Sequence, residues 1–469
     1  MDQQGTAAVP RIVIGGVQSG AGKTTVAVGL MRALAARGLR VQGFKSGPDY
    51  IDPHAYGWAT GRPGRNLDTY FMTPAQVQNA FAQGAAGADV AVVEGVMGLF
   101  DGVDGSGELG STAYLAKLLG APVLLVIDAS ASARSVAAVA LGFQHFDPNV
   151  RLAGVICNRV GGDRHVAMLR EALAGVGIPL VGALGHQPGL QIPEGRLGLA
   201  LSGETEGLSR WIAAAGQCVA EQVDLDQVLA LARGAGPLPD HGTPGAQPDP
   251  DPFAPSAAGQ YRGLRIGVAR DAAFWFYYED TFDLFRHWGV EPVFFSPLAD
   301  SKLPAGIHGL YLGGGVPEQH AAALAGNEAM RREVAAACRQ GLPILAEGGG
   351  YLYLLEGLIG EDGTFHPMAG CVPGVARVHP WLQAFGYRQA EPGSIRGHLF
   401  HYARVEGDGE GLPAWRLYRP DGTFERADGY RRGPVTGSFL HIHHASQPAA
   451  MEAFLAQCRE AAAGGKGSD

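Results

Sequence analysis

The sequence lacks several features that mark secreted or membrane proteins. It has five cysteines without paired spacing, so neither a disulfide framework nor a zinc site is predicted. Its first residues lack the basic start and apolar run of a signal peptide, and no apolar run reaches the ~18 residues that cross a bilayer. We therefore expect a cytoplasmic protein with reduced thiols and no membrane partner. The cysteines are Cys157, Cys218, Cys338, Cys371 and Cys458.

Positive charge is also scarce. The chain has 36 lysines and arginines against 45 acidic residues, a formal net charge of -9. This balance argues against a nucleic-acid partner. Glycine is abundant, with 71 of 469 residues, which is about twice the usual share and predicts many tight turns. The length predicts about two to four domains.

The stretch R-I-V-I-G-G-V-Q-S-G-A-G-K-T-T, residues 11–25, has the order of strand, glycine-rich turn and helix that a phosphate-binding loop requires. Backbone N–H groups of such a loop surround phosphate oxygens at a helix N-terminus. Lys23 is predicted to reach the β- and γ-phosphates of ATP, and Thr24 to place its hydroxyl on Mg²⁺. The other nucleotide-binding candidates here are Gly16, Gly20, Gly22 and Thr25.

This loop departs from the usual G-x-x-x-x-G-K-[ST] pattern at one position. Val17 stands where the first glycine belongs, and Gly16 lies one residue too early. A glycine-rich turn with a merely solvated lysine is the alternative interpretation. Two glycines, the lysine and two threonines in register favour a nucleotide site.

From residue 11 to about residue 235, short β-branched runs alternate with helical stretches rich in alanine and leucine. This alternation predicts a mostly parallel sheet covered by helices on both faces. Ligands in such folds bind at the carboxyl ends of the strands. The predicted strands are 11–14, 41–44, 90–93, 123–127 and 152–157.

A dense polar loop follows the second predicted strand, with the sequence F-K-S-G-P-D-Y-I-D-P over residues 44–53. An ordinary polar turn is one interpretation of this loop. The functional interpretation is a loop that faces the γ-phosphate. In that case Lys45 neutralises transferred charge, and Asp49 holds the metal or orients the substrate.

Two later strands also end in candidate residues. Glu94 ends the strand 90–93 beside the phosphate loop, where a magnesium ligand of the Walker-B type belongs, and Asp101 is given a supporting role. Asn158 follows the strand 152–157. Its amide either reads an adenine edge or is a simple turn residue.

Residues 236–260 contain seven prolines and cannot bury a core, which predicts a flexible linker. A second α/β pattern begins at residue 264, with strands predicted near 291–295, 309–312 and 343–346. We therefore predict domains at 1–235 and 261–469, joined by the linker 236–260.

Six long motifs, in the right order over nearly the whole chain, resemble those of the cobyrinate and hydrogenobyrinate a,c-diamide synthase family of cobalamin biosynthesis. The first domain resembles dethiobiotin-synthetase-like P-loop enzymes, which share the shifted first glycine. The six motifs are FKSGPDYIDP (44–53), VEGVMGLFDG (93–102), VARDAAFWFYY (268–278), FSPLAD (295–300), GLYLGGGVPE (309–318) and GHLFHYAR (397–404).

The resemblance implies two α/β domains with mostly parallel sheets, the first P-loop NTPase-like and the second class I glutamine amidotransferase-like. It implies ATP-dependent amidation of the a and c carboxylates of a corrinoid through acyl phosphates, with ATP and Mg²⁺ as cofactors. Catalysis of this kind relies on positioning and charge neutralisation. The family uses positions matching Asp49, Tyr50, Glu94 and Asp101 for substrate or metal handling. A homodimer is a further possibility.

The family obtains ammonia from glutamine through a cysteine in a sequence like A-E-C-G-G, activated by a histidine. In this chain the strand 343–346 is followed by Glu347, and Gly348 stands at the nucleophile position. The partner histidine matches His441. Because glycine cannot form a thioester, we expect no glutamine hydrolysis by this route. Cys338 is the nearest cysteine, on the preceding predicted helix.

Other departures from the family point in the same direction. The usual G-H-E-F-H reads G-H-L-F-H at residues 397–401, and a stretch usually like P-E-R-H-L reads P-E-G-R-L at residues 193–197. The open explanations are a synthetase that uses free ammonia or another subunit's ammonia, an engineered change at Gly348, and a paralog acting on another tetrapyrrole or carboxylate. A non-catalytic ATP-dependent switch is the alternative of a different class. The intact loops at 44–53 and 98–102 favour the synthetase.

Overall fold

The computed structural model describes residues 9–185, 190, 194–195, 198–199, 205–240, 251–407 and 411–464. The chain separates into two compact units, Met1–Ala246 and Gln247–Asp469. Each unit is built on its own mostly parallel sheet, so the predicted fold class is confirmed.

The first unit contains a parallel sheet with the strand order β3-β2-β4-β1-β5-β6-β7 among the described residues. Each predicted strand of this unit is present and extends one to three residues further toward its carboxyl end. The strands are β1 (Arg11–Gly16), β2 (Val41–Ser46), β3 (Arg65–Leu67), β4 (Val90–Glu94), β5 (Val123–Asp128), β6 (Leu152–Val160), β7 (Leu180–Gly185), and the short pair β8 (Glu194–Gly195) and β9 (Gly198–Leu199).

Helices connect these strands and cover the sheet, as the right-handed crossovers of parallel strands require. Helix α1 packs closely on α7 at Gly29. A Cβ at this position would lie 2.7 Å from the carbonyl oxygen of Ala215, so glycine is what allows the close approach. The helices are α1 (Lys23–Ala36), α2 (Ile51–Thr60), α3 (Pro74–Ala85), α4 (Thr112–Leu118), α5 (Ser135–Phe146), α6 (Asp163–Ala174), α7 (Thr205–Gln222) and α8 (Leu225–Arg233).

The sheet order places the informative strand ends side by side. Strand β1 is buried along its whole length between β4 and β5. In the register of β2 and β4, Lys45 lies directly beside Glu94. Asp128 and Asn158 are paired in the same way between β5 and β6.

Both described ends of the segment 236–260, the predicted linker, are hydrogen-bonded within their own unit. The buried guanidinium of Arg11 donates hydrogen bonds to the carbonyls of Gly236 and Pro237, at 2.9 and 3.0 Å. The indole of Trp288 donates to the carbonyl of Pro252 at 3.0 Å. The backbone carbonyls of a proline-rich segment can accept hydrogen bonds from side chains, which composition alone does not predict. Residues 241–250 lie outside the described residues.

The second unit contains a sheet with the order β12-β10-β13-β15-β25-β24, parallel except for its last pair. The strands predicted near 291–295, 309–312 and 343–346 are β12, β13 and β15. The strands of this sheet are β10 (Arg265–Ala269), β12 (Glu291–Phe295), β13 (Gly309–Leu312), β15 (Ile344–Glu347), β24 (Tyr430–Arg432) and β25 (Val435–Ser438).

The second unit also carries shorter sheets that the sequence did not predict, most of whose pairs are antiparallel. Their strands are β11 (Phe274–Phe276), β14 (Gly314–Gly315), β16 (Leu355–Ile359), β17 (Phe365–Pro367), β18 (Val372–Val378), β19 (Ala384–Glu391), β20 (Ile395–His401), β21 (Ala403–Glu406), β22 (Trp415–Tyr418), β23 (Phe424–Asp428) and β26 (His441–Ile442). The helices are α9 (Glu279–Trp288), α10 (Ala321–Gly326), α11 (Glu328–Arg339), α12 (Gly349–Leu354) and α13 (Ala449–Gly464), with 3-10 turns at Pro255–Ala257 and Pro317–His320.

All five cysteines are free thiols. Within the described residues, no helix combines the length and apolar character needed to span a membrane.

Candidate functional site

The phosphate loop connects β1 to α1 and depends on glycine at specific positions. Gly22 is the N-cap of α1 with a φ of 100°, and Gly20 has a φ of 76°. Both values lie in the left-handed region, which residues with a Cβ rarely adopt. A Cβ at Gly16 would lie 2.9 Å from the side-chain carbons of Lys23. The early glycine therefore makes room for the lysine to fold back along the loop.

Lys23 is held at the mouth of the loop by backbone carbonyls. Its Nζ donates to the carbonyls of Gln18 at 3.0 Å and Met97 at 2.6 Å. Burial, and then the nearby Lys45, lower the pKa of Lys23. Met97 has a φ of 48°, a left-handed conformation that turns its carbonyl toward the lysine. Asp101 stabilises the same turn, because its Oδ2 accepts the N–H of Gly98 at 2.7 Å.

Glu94 is the centre of a buried polar cluster at the end of β4. Its Oε1 accepts hydrogen bonds from Thr24 Oγ1 at 2.7 Å and from Lys45 Nζ at 2.9 Å, and its Oε2 accepts one from Tyr56 OH at 2.6 Å. Lys45 Nζ also donates to Asp52 Oδ2 at 2.6 Å. The side chains of Lys45, Asp52 and Glu94 are 6, 12 and 0% exposed, so the cluster is largely shielded from water.

The charges of this cluster depend on one another. Burial alone would lower the pKa of Lys45, but the carboxylates of Asp52 and Glu94 outweigh it and raise that pKa, so the lysine is cationic. Burial and the neighbouring Asp49 raise the pKa of Asp52 to about 6, although Lys45 opposes the rise. One cation therefore faces two buried carboxylates.

The loop 44–53 is folded against the site by its own side chains. Asp49 Oδ1 accepts the backbone N–H groups of Ile51 at 2.7 Å and Asp52 at 3.3 Å, so one carboxylate oxygen is committed to the start of α2. Tyr50 is the N-cap residue of α2. Asn66 donates to the carbonyls of Gly47 and Asp49, at 2.9 and 2.7 Å. These bonds fix the loop beside the cavity.

A cavity of about 890 Å³ lies over the phosphate loop and brings together most of the predicted site residues. Asn158 Nδ2 donates to the carbonyl of Ala21 at 3.0 Å, which commits part of its amide to the loop. Tyr50, Asp101 and Gly16 are not among the lining residues. The lining residues are Ser19, Gly20, Gly22, Lys23, Thr24, Thr25, Lys45, Asp49, Glu94, Gly95, Val96, Met97, Asn158, Arg159, Gly185 and Leu190.

The two left-handed glycines of the loop provide a matched pair of variants. A Cβ at Gly22 would lie 2.1 Å from Asn158 Nδ2, whereas a Cβ at Gly20 would meet nothing within 4 Å. We expect Gly22→Ala to weaken ATP binding by about 100-fold or more, because backbone strain of about 1–3 kcal/mol adds to a steric clash. Gly20→Ala carries the backbone strain alone, so its loss of affinity should be clearly smaller than that of Gly22→Ala. Calorimetric titration with ATP distinguishes them, and equal losses would contradict the steric argument.

In the second unit, Gly348 forms the tight turn between β15 and α12. Its φ of 49° and ψ of -109° are strained values for any residue with a Cβ. Its N–H donates to the carbonyl of Ser438 at 2.8 Å. A Cβ at position 348 would lie 2.5 Å from Cε1 and 2.6 Å from Nε2 of His441. The ring edge of His441 thus occupies the space beside the missing side chain.

His441 is buried next to the carboxylate of Glu347. Burial lowers the pKa of His441, which favours its neutral form. Glu347 accepts hydrogen bonds from Tyr311 OH at 2.8 Å and from the N–H of Ile442 at 3.2 Å, which ties the turn to β26. Leu399, at the position of the lost glutamate, is fully buried in the core of the unit.

Two further buried histidines of the motif at 397–404 make the second unit sensitive to acid. Burial, followed by the nearby His441 for His398 and Arg426 for His401, lowers the pKa of each from 6.5 to about 3. Below pH 6.5 these histidines therefore bind protons in the unfolded chain but stay neutral in the folded unit until the pH approaches about 3. Stability is fully present above pH 6.5 and falls as the pH approaches about 3.

We expect the unfolding free energy to fall by about 2 kcal/mol per histidine between pH 6.5 and pH 5. Urea titrations followed by tryptophan fluorescence measure this change, because Trp275, Trp288, Trp381 and Trp415 lie in the second unit. His398→Gln should remove about half of the combined effect, and the exposed His145→Gln should leave it unchanged. Identical unfolding free energies at pH 7 and pH 5 in the unmodified protein would refute the prediction.

Sequence reasoning missed two residues of the Glu94 cluster, Asp52 and Tyr56. Asp52 was visible as the second acid of the loop 44–53. Tyr56 follows it by four residues, a spacing that places both side chains on one face of α2. The spacing i, i+4 was therefore the available signal. Of the divergent stretch 193–197, residues 193, 196 and 197 lie outside the described residues.

Comparisons with known proteins agree with this division of the chain. The CobQ/CobB/MinD/ParA nucleotide binding domain family matches residues 12–194. The CobB/CobQ-like glutamine amidotransferase domain family matches residues 265–449. The fold and the two sites thus define a P-loop nucleotide-binding domain followed by a glutamine amidotransferase-like domain.

Similarity to curated proteins extends over nearly the whole chain. Hydrogenobyrinate a,c-diamide synthase of Streptomyces coelicolor is 44% identical, over 96% of this chain and 98% of its own length. The protein of the same name from Thermobifida fusca is 42% identical, over 96% of this chain and 97% of its own. Cobyrinate a,c-diamide synthase of Synechocystis is 39% identical, over 95% and 93%. The chain belongs to the cobyrinate and hydrogenobyrinate a,c-diamide synthase family, which confirms the resemblance.

Proposed function

We propose that the chain uses ATP to amidate the a and c side-chain carboxylates of a corrinoid, cobyrinic or hydrogenobyrinic acid, with ammonia as the nitrogen donor. ATP phosphorylates the carboxylate, and ammonia displaces phosphate from the acyl phosphate to leave the amide. The names of the relatives support this substrate class. The observation that carries the proposal is the buried contact of Lys45 with Glu94 at the lip of the phosphate loop.

The cavity residues fit the first step of this reaction. Phosphoryl transfer spreads negative charge over the γ-phosphate oxygens, so cations at the transfer point stabilise the transition state. Lys23 and Lys45 both line the cavity and are both buried. We assign Lys23 to binding the phosphates of ATP. We assign Lys45, which contacts Asp52 and Glu94, to neutralising charge on the group transferred.

The residues present also fit a magnesium ion. Mg²⁺ in nucleotide sites is bound by one or two carboxylates and the substrate phosphates. Thr24 and Glu94 supply a hydroxyl and a carboxylate already in contact, Asp49 lines the same cavity, and Asp52 shares the Lys45 ammonium with Glu94. When bound, the ion neutralises phosphate charge and orients the γ-phosphate. We assign Thr24 and Glu94 as its ligands, with Asp49 as a further candidate.

The proposed use of free ammonia rests on the geometry at Gly348. The turn and the neighbouring His441 are present, but the turn carries no side chain that could attack glutamine. The second step then requires only that ammonia reaches the acyl phosphate, without a thioester. Ammonia from solution or from a separate glutaminase would satisfy this requirement.

The decisive test is an assay of the full chain with ATP, Mg²⁺, ammonium chloride and either cobyrinic or hydrogenobyrinic acid. We expect phosphate release that depends on the corrinoid and a diamide product visible by mass spectrometry. Turnover with one acid and not the other would identify the substrate. ATP binding without turnover on either acid would reject the corrinoid assignment and favour another carboxylate substrate or a non-catalytic switch.

A further inference from the structure

Tyr56 is a fully buried tyrosine that contacts the proposed metal ligand. It lies on α2 and is 0% exposed. Its hydroxyl donates to Glu94 Oε2 at 2.6 Å, a short charge-assisted hydrogen bond. Tyr56 is not among the residues assigned above to nucleotide or substrate handling.

The hydrogen bonds divide the two oxygens of Glu94 between two directions. Oε1 faces the phosphate loop, where it accepts from Thr24 and Lys45. Oε2 faces away from the loop and accepts from Tyr56. The terminal torsion of a glutamate side chain is broad and roughly two-fold, so it does not by itself fix the plane of the carboxylate. Thr24 and Lys45 hold one carboxylate oxygen and Tyr56 holds the other, so the plane is fixed only when both sets of contacts are present.

The position of the tyrosine ring is itself set by close packing. A Cβ at Gly43, on β2, would lie 2.8 Å from the Cβ of Tyr56. Helix α2 therefore approaches the sheet closely where Gly43 allows it, and the hydroxyl is directed at the end of β4. Removing the hydroxyl while keeping the ring should preserve this packing.

We infer that Tyr56 is a positioning residue that holds the Glu94 carboxylate in the orientation required to bind Mg²⁺. The inference rests on the proposed function, because it takes Glu94 as a magnesium ligand. Outer hydrogen-bond partners of metal ligands typically contribute about 10- to 100-fold to metal affinity. Tyr56 acts through Glu94 and touches neither the metal nor the substrate.

The test compares calorimetric titrations of ATP into the full chain at a series of Mg²⁺ concentrations and in excess chelator. We expect Tyr56→Phe to raise the Mg²⁺ concentration for half-maximal enhancement of ATP binding by about 10-fold. Binding of ATP in chelator should stay unchanged. Tyr353→Phe is the matched control, since Tyr353 is equally buried and its hydroxyl makes no hydrogen bond within the described residues. It should shift nothing.

Glu94→Gln separates failure of this inference from failure of the proposed function. If Glu94→Gln shifts the Mg²⁺ dependence and Tyr56→Phe does not, Tyr56 has no positioning role. If neither variant shifts it, the assignment of Glu94 as a metal ligand is wrong. A lowered unfolding midpoint of Tyr56→Phe with unchanged Mg²⁺ dependence would show a purely structural role and would also overturn the inference.

Discussion

Lys45→Met is expected to lower the rate of amide formation by about 1,000-fold or more, the range found when a charge-stabilising group is removed from a phosphoryl-transfer site. The same change should destabilise the first unit by about 3–5 kcal/mol, because it leaves buried carboxylates without their cation. Methionine fills a similar volume, so packing contributes little to either loss. The two effects have one cause, the removal of positive charge between Asp52 and Glu94.

The pH dependence of this variant distinguishes lost charge from lost packing. The pKa of Asp52 is already raised to about 6, chiefly by burial, while Lys45 restrains the rise. Without the lysine that pKa rises further. A carboxyl with a raised pKa stabilises the fold at low pH and loses that contribution as the pH rises through its folded value.

Lys45→Met should therefore be closer to the unmodified protein in stability at pH 5 than at pH 8. Urea unfolding at both pH values, with corrinoid-dependent phosphate release as the activity readout, measures the two effects. Lys302→Met is the control, because Lys302 is exposed and lies in the second unit. A stability loss that is the same at pH 5 and pH 8 would show that packing, not charge, causes it.

Local pattern was sufficient to predict the parallel sheet of the first unit and the residues at its carboxyl edge. Buried parallel strands appear in sequence as short apolar runs, and the glycine-rich turn specifies the loop that follows β1. The ends of β2, β4 and β6 could therefore be expected at one edge before any contact was known. The register that sets Lys45 beside Glu94 follows from the sheet order and could not be derived from the sequence.

The missed residues and sheets depended on contacts between distant segments. Tyr56 reaches Glu94 across 38 positions of sequence. Its spacing from Asp52 places it on the same face of α2 but does not identify the strand-end carboxylate as its partner. In the sheet built from β19, β20 and β22, the exposure of β19 and β20 does not alternate cleanly along the strand. Its strands pair antiparallel, so no helix separates them in the sequence.

Glutamine is expected to support amide formation at no more than about one thousandth of the rate with ammonium chloride, since removal of a catalytic nucleophile typically costs this much or more. Gly348 offers no side chain, and the ring of His441 occupies the adjacent space. The assay compares diamide formation and glutamate release with each nitrogen donor. Glutamate release equal to amide formation would mean that another nucleophile exists, and cysteine-to-serine variants would identify it.

The converse experiment is Gly348→Cys, which places a cysteine at the nucleophile position. The backbone at this position already has the strained turn, so the cost of a side chain is about 1–3 kcal/mol plus the displacement of His441, whose Cε1 lies 2.5 Å from the new Cβ. Thiolate formation beside a histidine is the condition for glutamine attack. We expect an unfolding midpoint below that of the unmodified protein, together with glutamate release and alkylation of position 348. A cysteine at position 348 that reacts with neither glutamine nor the alkylating reagent would contradict this expectation. It would show that the His441 ring cannot move away from the new side chain, and that the site lacks more than its nucleophile.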